Sequence, residues 1–191
     1  YDKDNILCLF IPNTYEVYWS ISQEAFLKKI KAEHATFWNK SRTEKANSLG
    51  LDENEVFILA SIVEKEYKYP EERPRIAGVY INRLAKGMKL QADPTVKFAL
   101  GDLSLKRILT VHTDYDNPYN TYFNLGLPPG PICLPETSTI DAVLNAEEHA
   151  YLYFCAKEDL SGYHVFNATY TAHLQTARLY QAALNKLRIY E

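Results

Sequence analysis

Two glutamates, Glu64 and Glu66, close the apolar stretch "FILASIVEKE" at residues 57–66, where a carboxyl group could serve as a general acid. On a helix each residue advances about 100° around the axis. That wheel sets Glu64 between Phe57 and Ala60, and Glu66 between Leu59 and Ile62. An ionised carboxylate among apolar side chains is costly unless paired, and the usual response is a raised pKa. A carboxyl held protonated near neutral pH is what a general acid requires. The structural alternative is an ion pair from either glutamate to Lys65, Lys68 or Arg73 at the wet end of a core helix.

Such an acid suits cleavage of a glycosidic bond. That reaction needs a proton donor for the leaving oxygen, and a second carboxylate or another nucleophile for the anomeric carbon. Glu66, Glu72, Asp93 and Asp116 are the candidate second carboxylates. Positions i and i+2 on a helix point about 160° apart, so Glu64 and Glu66 do not readily share a site. Asp93 in "QADPT" is the better neighbour, on a loop that could fold over the helix. As an Asp before Pro it could equally open a turn.

Other chemistries find less support. His34, His112, His149, His164 and His173 lack the HExxH spacing, and Cys8, Cys133 and Cys155 lack zinc-type spacing, so no metal is expected and no cofactor is called for. No GxSxG elbow signals a serine nucleophile. A net charge of −3 without a basic block argues against a nucleic-acid partner. The 15 tyrosines, against 2 tryptophans and 8 phenylalanines, offer flat faces with hydrogen-bonding tips, suited to sugars as well as to core edges.

The elements that must position these groups follow from periodicity and punctuation. "ILCLFIPNTYEVYWSIS" predicts a strand or hairpin, and "SQEAFLKKIKAEHATFWNKSRTEKANSLG" a helix capped by Ser22. "GLDENEVFILASIVEKEYKY" predicts a helix running to Tyr69, before Pro70, and "EERPRIAGVYINRLAKGM" another stopped by Gly87. Residues 89–135 are rich in Pro, Asn, Asp, Gly and Tyr, the composition of an irregular binding surface, and a substrate groove is expected there. "TIDAVLNAEEH" reads as a helix capped by Thr139, "AYLYFCAKE" and "GYHVFNATYTAH" as strands, and "HLQTARLYQAALNKLRIYE" as a closing helix. The fold class is therefore α+β, a small antiparallel sheet packed with helices, with the acid on a buried helix. No run approaches the roughly 18 apolar residues of a membrane span. The start at Tyr1 rather than Met suggests a trimmed piece of a longer protein.

The blocks "LASIVEKE", "VYINRLAKGMKLQADPTV", "NPYNTYFNLGLPPGPI" and "YLYFCAKEDLSGYHVFNATYTAH" occur in one order over residues 55–173. Together they resemble the endolytic murein transglycosylases, the YceG-like (MltG) family of bacterial cell-wall enzymes. "FIPNTYEVYW" also resembles the segment preceding the catalytic domain in that family. The resemblance implies a leading segment at 1–50 and a catalytic domain at 51–191, with a LysM-like module and a membrane anchor upstream.

It further implies a lyase that cuts the β-1,4 bond after N-acetylmuramic acid inside a glycan strand and leaves a 1,6-anhydro end. Position in the helix could not choose between Glu64 and Glu66; matched motif to motif, Glu64 takes the place of the catalytic glutamate. Gln91, Asp93, Tyr119, Asn120, Thr121 and Tyr122 are expected to contact sugar, with Gly126, Leu127 and Pro128 shaping the groove wall, and Glu66 with Arg83 as a supporting pair. His164, Asn167 and His173 match family positions without an assigned role. The implied partners are peptidoglycan strands and cell-wall synthases, and the implied location is the extracytoplasmic side of the bacterial inner membrane. Two rival readings are a noncatalytic peptidoglycan-binding module and an inverting muramidase-type hydrolase using Asp93.

Overall fold

The computed structural model describes residues 1–105 and 107–187. Its helices are α1 (Gln23–Phe37), α2 (Lys40–Ser48), α3 (Glu53–Val63), α4 (Arg73–Ala85), α5 (Asp93–Leu100), α6 (Thr110–Thr113), α7 (Thr137–Leu144) and α8 (Tyr170–Lys186). Strands β1 (Tyr153–Ala156) and β2 (His164–Asn167) pair antiparallel, with Tyr153 opposite Asn167 and Ala156 opposite His164. This is the expected α+β arrangement. Residues 188–191 of the expected closing helix lie outside the described residues. Among the described residues no helix is long and apolar enough to cross a membrane.

Helix α3 is the centre of the core: every residue from Val56 to Val63 is buried. A helix apolar on all sides must be covered on all sides, and α2, α4, α7 and the N-terminal segment pack against it. Its start is set by a capping box, in which Glu55 N–H donates to the Asp52 carboxylate and Asp52 N–H donates to the Glu55 carboxylate. Arg42 reaches Asp141 with two nitrogens, at 2.8 and 3.0 Å, and so ties α2 to α7.

Several expectations need correction. The last strand ends at Asn167, and Tyr170–His173, expected in it, form the first turn of α8 because the Thr169 side chain accepts the Ala172 N–H and caps the helix there. The leading segment forms no strand; Ile6–Leu9 makes a 3-10 turn that buries Cys8 and Leu9, and Ile11 follows them into the core. Its β-forming residues find an apolar surface without a partner strand, which satisfies the same packing preference. The next helix is two, because Asn39 leaves helical geometry and its side chain accepts the Arg42 N–H to start α2. Asp93 opens α5 rather than sitting on a loop, with Pro94 in the first turn. Thr139 lies inside α7; the cap position is Glu136, whose own side chain makes no cap bond.

Candidate active site

Helix α3 stops at Val63, six residues before Tyr69, and this decides where the two glutamates go. Lys65 and Glu66 bond back to the carbonyls of Ile62 and Val63, each at 3.0 Å, so the chain leaves α geometry through a tight i→i+3 turn. The 100° wheel no longer applies, and the two carboxylates diverge.

Glu66 turns into a cavity of about 490 Å³ walled by α4, residues 90–93, β1 and α8. The Tyr80 hydroxyl donates to its Oε1 at 2.5 Å. Burial pushes the Glu66 carboxyl from its ordinary 4.5 up to about 8; the Tyr80 hydrogen bond opposes this, and the nearby Asp93 charge adds to it. Asp93, on the same cavity, accepts the Tyr122 hydroxyl at 2.6 Å. Burial raises its pKa too, with Tyr122 and Lys97 pulling it down. Gln91 lines the wall beside them, its backbone in the left-handed region at a φ of 51°. That conformation is strained for a residue with a Cβ and collects at functional sites. A bond from Arg83 Nη1 to Gln91 Oε1, at 3.3 Å, and another from Gln91 N–H to Thr121 O, at 3.1 Å, hold it.

A carboxyl with a raised pKa, a second carboxyl and tyrosine faces around a polar cavity are the kinds of group that general-acid cleavage of a sugar polymer would use. The sequence profile of the YceG-like family matches residues 2–179. This chain belongs to the YceG-like family. It is 39% identical over 133 residues to an endolytic murein transglycosylase of Bacillus subtilis, a match that spans 70% of this chain and 36% of that protein. An endolytic murein transglycosylase of Streptococcus pneumoniae is 41% identical over 113 residues, 57% of this chain and 20% of its own. A crystal structure of a yceG-like protein from Listeria monocytogenes superposes with a TM-score of 0.73 at 34% identity, covering 87% of this chain and 54% of that one. The chain thus spans about a third or less of the two curated relatives.

Glu64 of this YceG-like chain does not line the cavity. Its Oε2 accepts the Thr139 hydroxyl at 2.5 Å and the Glu136 N–H at 3.1 Å, and its Oε1 accepts the Tyr67 hydroxyl at 3.1 Å. The carboxylate therefore sits beside the N-terminus of α7, where the helix dipole favours it and where it accepts the N–H of the cap residue Glu136. No ion pair joins Glu66 to Arg83 among the described residues. Arg83 instead donates to the carbonyls of Leu152, Lys89 and Leu90, although it lines the same cavity.

Of the expected sugar contacts, Gln91, Asp93 and Tyr122 line the cavity, whereas Tyr119, Asn120, Thr121, Gly126, Leu127 and Pro128 do not. Asn120 is fully buried and clips its own loop, donating to the carbonyls of Thr113 and Tyr115. Thr121 shares a buried hydroxyl pair with Thr95 at 2.8 Å and accepts the Ala92 N–H at 3.0 Å, which pins the loop to the segment bearing Gln91 and Asp93. Tyr119 packs on Phe98, and Gly126 and Leu127 line a separate hollow with Ile81 and Leu84.

The wall that sequence reasoning left unassigned comes from β1, β2 and α8: Tyr153, His164, Tyr170, His173, Ala177 and Tyr180. The last four fall at i, i+3, i+7 and i+10 on one face of α8. That stripe was the signal available. Placing it opposite Glu66 required the tertiary fold.

Proposed function

We propose that this YceG-like chain carries the catalytic part of an endolytic lytic transglycosylase that acts on peptidoglycan, with Glu66 rather than Glu64 as its acid. The observation that carries this reading is the Glu66 carboxyl, raised to about 8 inside a polar, tyrosine-rich cavity. The names of the Bacillus and Streptococcus relatives support the substrate class. At pH 7 such a carboxyl is protonated about ten to one. It donates to the glycosidic oxygen as positive charge develops at the anomeric carbon of N-acetylmuramic acid. The sugar's own 6-hydroxyl then attacks that carbon and gives its proton to the carboxylate just formed. An internal nucleophile has a large effective concentration. It makes a second carboxylate unnecessary and leaves a 1,6-anhydro end.

The same reading has the protein work in the bacterial cell envelope, facing peptidoglycan outside the cytoplasm; the family resemblance is what supports an anchor and a LysM-like module beyond this chain and cell-wall synthases as partners. Asp93 favours one second reading, because its carboxyl stands near enough to raise the pKa of Glu66. As a base activating water it would make the enzyme an inverting hydrolase.

Incubation of the chain with uncrosslinked glycan strands, read by mass spectrometry, separates these. Anhydro ends, about 18 Da lighter than reducing ends because no water is consumed, support the lyase; reducing ends support the hydrolase. Loss of cleavage in Glu66→Gln with retention in Glu64→Gln assigns the acid. The opposite pattern returns the role to Glu64, and no cleavage by the parent or by either variant leaves a binding module.

A further inference from the structure

A second acid–base group faces the cavity. Glu72, at the junction of the 3-10 turn Pro70–Glu72 with α4, is buried together with His164, at the start of β2. The two side chains are 7% and 11% exposed. Glu72 Oε2 lies 2.9 Å from His164 Nδ1, and its Oε1 accepts the His164 backbone N–H at 3.0 Å. Phe154 meets the imidazole edge-on at 5.3 Å, and Phe166 flanks it at 6.3 Å.

A carboxylate oxygen facing Nδ1 takes that nitrogen's hydrogen, so in the tautomer this contact selects the N–H is on Nδ1 and Nε2 is the acceptor. His164 lines the cavity that holds Glu66. Its Nε2 has no protein partner among the described residues, yet it is not one of the buried unpaired nitrogens, which are Trp38 Nε1 and His173 Nδ1. It therefore keeps an open edge. A ring gripped by a carboxylate through one nitrogen, clamped by two aromatic side chains and open at the other, is an oriented acceptor.

We propose that His164 is a substrate-contacting residue whose Nε2 accepts a hydrogen bond from a sugar hydroxyl, with Glu72 as the positioning residue that fixes its tautomer. This rests on the glycan-binding reading above and adds a contact from β2 to those of Gln91, Asp93 and Tyr122 in the same cavity. Two substitutions separate the halves of the ring. In His164→Asn the amide nitrogen keeps the donor to Glu72 but removes Nε2; His164→Gln keeps a polar atom near Nε2 and loses the grip on Glu72.

The test labels histidine with ¹⁵N in the Glu66→Gln chain, which holds its ligand uncleaved, and titrates a tetrasaccharide of alternating N-acetylglucosamine and N-acetylmuramic acid. The His164 Nε2 resonance is expected to move toward the protonated position while Nδ1 stays protonated. His164→Asn is expected to bind at least tenfold more weakly with unchanged thermal unfolding, and His164→Gln to recover part of the loss. Saccharide binding that is seen by calorimetry but leaves Nε2 still, or equal binding by His164→Asn, overturns the proposal alone. Absence of binding overturns it together with the glycan reading. If Nε2 responds while Glu66→Gln cleaves normally, the His164 contact stands and the role of Glu66 falls.

Discussion

Replacing Glu66 by Gln should stabilise the protein while abolishing cleavage. The unfolded chain releases this proton near 4.5 and the folded chain near 8. Between those values the folded state holds a proton that the unfolded state has lost, so stability falls as pH rises through the interval and is lowest above it. The slope is about 1.4 kcal/mol per pH unit, which over the whole interval sums to about 5 kcal/mol. Glu66 lines the cavity and is only partly buried, so about half of that, 2–3 kcal/mol, is the expected size. Gln keeps an acceptor for the Tyr80 hydroxyl and has no charge to desolvate. Urea unfolding of both proteins at pH 5, 7 and 9 checks this. The two curves should nearly coincide at pH 5 and separate progressively to pH 9, with Glu66→Gln the more stable. Parallel curves across that range would mean that Glu66 ionises normally, and the argument for it as an acid would fail with them. The same proton sets the rate: cleavage by the parent should hold up to neutral pH and fall about tenfold per unit above 8.

Glu64→Ala should destabilise by about 1–3 kcal/mol in thermal unfolding, because Thr139 and the Glu136 N–H lose their acceptor; below the melting transition its cleavage rate should stay within a few-fold of the parent. Tyr122→Phe removes the hydroxyl held at 2.6 Å by Asp93, so the Asp93 carboxyl should titrate higher still, as followed by ¹³C NMR. Gly78→Ala places a Cβ 2.5 Å from the Glu147 carbonyl oxygen and 2.7 Å from His149 Nε2. Backbone on the far side cannot yield cheaply, so a loss of about 2 kcal/mol or more is expected in chemical denaturation.

The α+β class, the buried body of α3, α4, the two closing strands and the helix after them were legible, because each rests on local signals; their ends were not, since α3 stops at Val63 rather than Tyr69, and Tyr170–His173, expected in a strand, open α8. Those signals are the Asp52–Glu55 capping box, the unbroken apolar run of α3, and two short β-rich segments separated by a Gly turn. The irregular stretch 89–135 was legible as unusual but misleading as a groove. Only its first residues and Tyr122 reach the cavity, while Asn120 and Thr121 spend their polar atoms holding the loop together. Polar side chains in such a loop look alike in sequence whether they bind a ligand or satisfy buried backbone.

What the sequence by itself determined was the chemistry on offer: a carboxyl at the end of an apolar helix, an Asp nearby in the chain order, and a surplus of tyrosine. Which carboxyl faces the cavity was decided by tertiary structure. Helix α3 ends at Val63 in a tighter turn, and α7 arrives with an uncapped N-terminus that takes Glu64 as its partner, while Tyr80 and the wall of α8 enclose Glu66. Two residues of identical type, two positions apart, thus differ through what packs against them. A raised pKa is a property of desolvation and neighbouring charge, and both come from segments distant along the chain.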